Sequence, residues 1–199
     1  MKYFCISSAG DERMSPRQYG YWLLKWSHDG AIGSLDELKK KQFELSPFAR
    51  LFCKIPVWAY IEFMAVYAAS YWFYATEFLH VDEAQNEMKM GLDDGIKGLR
   101  LDNGDSFSSF QEKYLRASIG KFFSAILEDY IASRHDDPYV YKADTSAVAS
   151  KFFELTLPLY PEMKNISAAD HLLIGHFVSD IPVLLFKTLQ KDIGISYVA

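Results

Sequence analysis

Residues 55–79 decide the fold, and their sequence is IPVWAYIEFMAVYAASYWFYATEFL. Between Lys54 and Glu77 the only charged side chain is Glu62, so 22 consecutive positions carry a single charge. A helix that is apolar on every side is either the central helix of a bundle or a membrane span. In a span, tyrosines gather at the two interfaces and a buried glutamate is costly, whereas here the tyrosines are spread along the stretch. We therefore predict a buried central helix over residues 56–80, with a single membrane span as the alternative.

Helix-start signals divide the chain before this stretch. Ser15-Pro16 supplies an N-cap and a first-turn proline, and predicts a helix that ends near Asp29-Gly30. A capping box at Ser34 predicts a second helix over residues 35–45, and Ser46-Pro47 predicts a third. Residues 2–7 are rich in aromatic and β-branched side chains, and therefore predict a short strand.

Three further helices are predicted after the central stretch. Apolar residues recur at helical spacing from Phe107, which predicts a helix reaching about Ser133. Asp144 or Thr145 can cap the next helix, which ends at Pro158. The last helix begins at Ser167 and ends at Lys191, with Gly194 as a C-terminal cap, and carries Leu173, Phe177, Leu184 and Leu185. The sum is an all-α bundle of five to seven helices around the central helix, a single domain over residues 1–199.

Composition and charge exclude several classes of protein. The chain has 199 residues, of which 50% are hydrophobic and 16% aromatic, so it is not a disordered chain. Its 21 basic and 26 acidic side chains give a net charge of −5, and no basic patch is present for nucleic acid. Only four consecutive apolar residues precede Ser7, too few for a secretory signal. We therefore expect a cytoplasmic protein, in which Cys5 and Cys53 are reduced thiols.

An acidic, glycine-containing segment follows the central stretch. Residues 82–105 hold seven acidic side chains against three basic ones, together with four glycines. The glycines predict an irregular surface segment, and Asn103-Gly104 predicts a hairpin between residues 96–101 and 105–110. A negative surface accelerates encounter with a basic partner. The residues that we expect to bind such a partner are Asp82, Glu83, Asp93 and Asp94.

One group of side chains resembles a set of metal ligands. Glu77 and His80 are three residues apart, Glu62 lies at nearly the same helical angle, and His176 and Asp180 are i, i+4 neighbours. Carboxylate metal sites in bundles need two such Glu-x-x-His steps, and this chain has one. We therefore interpret Glu77 and His80 as the point where the buried helix emerges into solvent, and His176 and Asp180 as a helix-surface pair. We expect no cofactor and keep a metal site formed by these residues and Glu62 as the alternative.

The density of aromatic residues on the central stretch allows three interpretations. They fill the core, or they fill the core and also contribute to a protein interface, or they line an apolar ligand cavity. The residues concerned are Trp58, Tyr60, Phe63, Tyr67, Tyr71, Trp72, Phe73, Tyr74 and Phe78.

Two functions remain open from the sequence. The first is a non-enzymatic helical binding protein that docks a protein partner, for example as a neutraliser of a basic toxin, or that associates with its own copy. No recognised nucleotide, zinc or nucleophile motif is present, which favours this function. The alternative is a metal-dependent or small-molecule-binding helical enzyme that uses Glu77/His80 and His176/Asp180.

Overall fold

The computed structural model describes residues 3–9, 12–40, 56–100, 104, 106–133, 146–159 and 167–198. These residues form six α-helices and a three-stranded sheet. The helices are α1 Pro16–Lys40, α2 Pro56–Phe73, α3 Gln85–Gly98, α4 Ser109–Ser133, α5 Ala147–Thr156 and α6 Ala168–Thr188. Two of them continue as π-helical turns, α2 over Tyr74–Phe78 and α6 over Leu189–Ile193. Short 3₁₀ turns cover Ser7–Ala9 and Asp82–Ala84. The predicted all-α bundle is confirmed.

Helix α2 is the central helix, as its composition predicts. From Ala59 to Thr76 every residue is buried except Tyr60, Tyr67 and Trp72, which are half-buried. It packs against α1, α4, α5 and α6, so that each side of the helix is covered by another helix. Hydrophobic side chains from these helices join α2 in one contiguous core.

Helix α1 supplies hydrogen-bonding partners for two of the tyrosines on α2. The Tyr60 hydroxyl forms a hydrogen bond with His28 Nδ1, and the Tyr67 hydroxyl forms one of 3.1 Å with Ser34 Oγ. In the opposite direction, the Tyr19 hydroxyl of α1 donates to the Tyr71 carbonyl at 3.2 Å. Tyrosine hydroxyls that lie within a fold need such partners, and these bonds therefore help a tyrosine-rich helix to lie inside the bundle.

The sheet joins the two ends of the described chain. Its strands are β1 Tyr3–Ile6, β2 Glu12–Met14 and β3 Ile195–Val198, in the antiparallel order β2-β1-β3. The strand predicted at residues 2–7 is confirmed, whereas β3 was not predicted. Gly194 adopts φ +66° after the last helical turn, as expected of a C-terminal cap, and leads directly into β3.

The predicted end of the first helix near Asp29-Gly30 is wrong, because α1 continues to Lys40. Gly30 lies against the ring of Tyr67, where an added Cβ would be 2.9 Å from ring atoms, so this glycine serves helix packing and does not end the helix. Ser34, predicted as an N-cap, is buried within α1. The second helix is predicted over residues 35–45, and its described part, up to Lys40, is the end of α1. Residues 41–45 and the helix predicted at Ser46-Pro47 lie outside the described residues.

The predicted irregular segment at residues 82–105 is also wrong, because most of it is the regular helix α3. Its glycines let α3 approach α1 very closely. A Cβ on Gly91 would lie 1.9 Å from the Arg17 carbonyl oxygen, and one on Gly20 would lie 2.0 Å from that of Met88. Where the structure describes the predicted hairpin, it shows one antiparallel bridge between Arg100 and Ser106, because residues 96–98 belong to α3 and α4 begins at Ser109. Residues 101–103 and 105 lie outside the described residues.

The helices after residue 106 agree with the sequence in their extent. Helix α5 is capped by Ser146, whose hydroxyl accepts from the Ala149 N–H at 3.2 Å, while Asp144 and Thr145 lie outside the described residues. Ser167 caps α6 as predicted. Of the four apolar residues assigned to α6, Leu185 is buried and Leu184 is exposed.

Replacing Gly91 by Ala should destabilise the protein through the contact between α1 and α3. The new methyl group would overlap the Arg17 carbonyl, so the helices must separate, and we expect a loss of at least about 2 kcal/mol in the free energy of unfolding. The control is Gly120→Ala in α4, where the added Cβ meets no atom within 4 Å among the described residues. That change should stabilise by about 0.5–1 kcal/mol, since Ala favours helix over Gly. Equal effects in urea denaturation would contradict the close approach of the two helices.

Candidate functional site

The four carboxylates predicted to meet a partner lie on or next to α3, in two different settings. Asp82 and Glu83 are exposed in the 3₁₀ turn before the helix. Asp82 Oδ1 accepts from the Gln85 side-chain amide at 3.1 Å. Asp93 and Asp94 are half-buried within the helix itself. The structure therefore separates the four into an outer pair in the turn before α3 and an inner pair within α3.

The inner pair binds α3 to its neighbours. Asp94 Oδ2 accepts from the Arg17 guanidinium of α1 at 2.5 and 2.9 Å. Asp93 Oδ1 accepts from Arg116 Nε of α4 at 2.7 Å, and Arg116 also lies 3.5 Å from Glu112. These two charges are balanced within the fold. A steering role is best sought at Asp82 and Glu83, which are the more exposed pair.

An exposed apolar patch adjoins the Arg17–Asp94 ion pair. Tyr21 is 47% exposed and lies one turn after Arg17 on α1, while Met90 is 52% exposed and lies one turn before Asp94 on α3. Residues four apart share a helix face, so the two apolar side chains flank the ion pair. The exposed Glu87 precedes Met90 by three residues on the same face. We call this patch of Arg17, Tyr21, Glu87, Met90 and Asp94 the α1–α3 surface. Tyr21 and Met90 could not be predicted as surface residues, because an exposed apolar side chain has no local signature in the sequence.

The structure does not assemble the alternative metal ligands. Glu77 is exposed in the π-helical turn, which ends at Phe78, and His80 is exposed with φ +52° beyond it, so the two do not share a helix face as predicted. His176 and Asp180 are exposed on α6. Across the described ranges of the chain, no three His, Cys, Asp or Glu side chains are placed to hold one metal ion.

Glu62, the only charged residue within the apolar stretch, is fully buried between α2 and α4. The Tyr114 hydroxyl donates to Oε1, whereas Oε2 is buried without a hydrogen bond in the part of the chain that the structure describes. Burial raises the pKa of Glu62 to about 7, although the hydrogen bond from Tyr114, the charge of Lys121 and a hydrogen bond from Ser118 act in the opposite direction. The protonated form of this side chain is therefore favoured up to neutral pH.

Among the described residues, the helix that is long and apolar enough to cross a membrane is α6 with its π-helical turn, Ala168–Ile193, and not α2. Its most apolar window has a mean hydropathy of 1.5, and 56% of that window is buried inside the structure. A buried core helix meets the same criteria of length and composition, so this finding is weak support for a span.

Glu62→Gln should remove a pH dependence of stability. Because the pKa of Glu62 is about 7 in the folded protein and near 4.5 when unfolded, its contribution is fully present below about pH 4.5 and is lost as the pH rises through about 7. Between about pH 5 and pH 8 the wild type should lose about 2–3 kcal/mol relative to the glutamine variant. Denaturation of both proteins at the two pH values measures this difference. The same pH dependence in both would show that Glu62 does not titrate in this range.

Comparison with known proteins assigns no function to the chain. No known protein family, no characterised protein and no solved structure matches it. What the protein binds must therefore be inferred from the geometry and charge of its own residues.

Proposed function

We propose that the protein is a non-enzymatic helical binding protein that docks a basic protein partner on the α1–α3 surface. The observation that carries this proposal is that Tyr21 and Met90 are exposed on either side of the Arg17–Asp94 ion pair. A neutraliser of a basic toxin is one concrete form of such a protein.

The composition of the α1–α3 surface supports a protein as the ligand. Tyrosine, methionine and arginine are enriched in protein interfaces, where they supply large contact areas around a desolvated centre. Arg17 is already oriented by Asp94, with its Nε and Nη2 both donating to one carboxylate oxygen, so less side-chain freedom is lost on binding.

The charges around the surface favour a basic partner over a second copy of the chain. Asp82, Glu83 and Glu87 are exposed at the beginning of α3, and the whole chain carries a net charge of −5. Two copies meeting through this surface would bring like charges together, which is costly at an interface. A partner with a basic surface would instead be attracted before contact.

The charge part of this proposal is tested with the partner recovered from lysate by the wild-type protein. Asp82→Asn combined with Glu83→Gln should slow association by about threefold or more at low salt, and should flatten the salt dependence of the rate. Asp93 and Asp94 are left unchanged because they hold α3 in place. The matched control, Glu128→Gln with Asp192→Asn, changes the net charge equally at exposed positions of α4 and the last helical turn. Stopped-flow or surface-binding kinetics measure both rates, and equal association of the two variants would contradict a steering role.

The contact part is tested by dissociation rates. Tyr21→Ala and Met90→Ala, each on an exposed position, should raise the dissociation rate of the same partner by about tenfold, the size expected of an anchor residue. The exposed Ile131→Ala on α4 is the control, and should leave the rate unchanged. If neither surface variant dissociates faster than this control, the partner binds elsewhere.

A further inference from the structure

A cavity of about 340 Å³ lies between the sheet and the ends of the helices, apart from the α1–α3 surface. One wall is aromatic and consists of Trp22, Trp26 and Tyr71. Aliphatic side chains from the three strands and from the last helical turn form the rest, while Ser8 and Glu12 are exposed on its open side. A volume of this size lies within the range of small-molecule sites, which are mostly apolar with a few placed polar groups.

The aromatic wall is continuous. The ring centroids of Trp22 and Trp26 are 6.4 Å apart, and those of Trp26 and Tyr71 are 5.5 Å apart. The Tyr71 hydroxyl makes no hydrogen bond with any of the residues that the structure describes, and its side chain lines the cavity. Aromatic faces carry partial negative charge and attract cations. The ring of Trp22 already does so, because Lys25 Nζ lies 4.4 Å from its centroid.

One carboxylate, that of Glu12, lines the cavity beside this wall. Glu12 is exposed and forms no ion pair within the described ranges. Burial raises the pKa of Tyr71, and the neighbouring Tyr67 and Asp29 raise it further. Two basic neighbours make cation–π contacts within the structure: Arg13 lies over the ring of Tyr3 at 4.7 Å, and Lys25 lies over Trp22, which is itself a residue of the wall.

We propose that this cavity binds a small organic cation, in which an ammonium group is attached to an apolar or aromatic body. The body fills the aliphatic part, and the ammonium group lies against the aromatic wall within reach of the Glu12 carboxylate. A neutral molecule of the same shape gains only the apolar contacts, and an anion is repelled by the Glu12 carboxylate.

The test uses phenethylammonium as the probe, with 2-phenylethanol as its neutral analogue and phenylacetate as its anionic analogue. For a ligand of this size we expect a dissociation constant on the order of 1 mM for the cation. The alcohol should bind about fivefold more weakly, and phenylacetate should bind more weakly still. Titration is followed through the indole N–H resonances of Trp22 and Trp26, each assigned with a phenylalanine variant, and these two resonances should shift.

Glu12→Gln isolates the role of the carboxylate, because Glu12 is exposed and its loss leaves the core intact. The variant should bind the cation about three- to tenfold more weakly and the alcohol equally well, whereas the control Glu128→Gln should bind both as the wild type does. Met90→Ala should also leave cation binding unchanged, which separates this cavity from the proposed partner surface.

Three results would overturn the proposal. Equal affinity for the cation and the alcohol would mean an apolar cavity without charge recognition. Absence of any shift up to about 10 mM probe would mean no site. Binding that leaves the Trp22 and Trp26 resonances unchanged, or that Glu12→Gln does not weaken, would mean that the cation binds elsewhere.

Discussion

The absence of a solvent face on α2 is the constraint on which the other elements depend. A helix that is buried on all sides must be covered on all sides, and α1, α4, α5 and α6 each cover one of them. Aromatic rings form much of this contact: Phe63 meets Phe152 of α5 at 5.2 Å, and Phe73 stacks on Phe186 of α6 at 5.7 Å. The polar groups that α2 carries inward then need partners, which α1 supplies for Tyr60 and Tyr67 and Tyr114 of α4 supplies for Oε1 of Glu62.

Helix α1 connects the core to both proposed binding regions. One of its faces packs on α2, and another carries Gly20 against α3, so the helix lies between the two. Consecutive residues on a helix point about 100° apart, and this divides Tyr21 from Trp22: Tyr21 is exposed beside α3, whereas Trp22 lines the cavity. A single 25-residue helix therefore contributes side chains to a partner surface and to a small-molecule cavity.

The position of α3 follows from backbone contact more than from charge. The ion pairs of Asp93 and Asp94 are partly exposed, and pairs of this kind contribute about 0–1 kcal/mol each. The approach at Gly20 and Gly91 leaves no room for any side chain, so it determines the distance between the helices. The ion pairs then orient α3, and they remove Asp93 and Asp94 from the charges that a partner would meet.

The sequence by itself determined the elements that depend on local signals. The apolar stretch predicts α2, the serine caps predict the beginnings of α1 and α6, and the β-prone residues predict β1, because each signal acts within a few residues of its element. Of the candidate sites, it identified the acidic residues around α3 and the ring of Tyr71, but not Tyr21, Met90 or the two tryptophans. Only the tertiary structure decided the rest. A glycine is compatible with a turn or with close helix packing, and which applies at Gly30 and Gly91 depends on whether Tyr67 or Arg17 lies against it. In the same way, Ile195–Val198 is a strand because β1, at the opposite end of the chain, supplies its hydrogen-bonding partner.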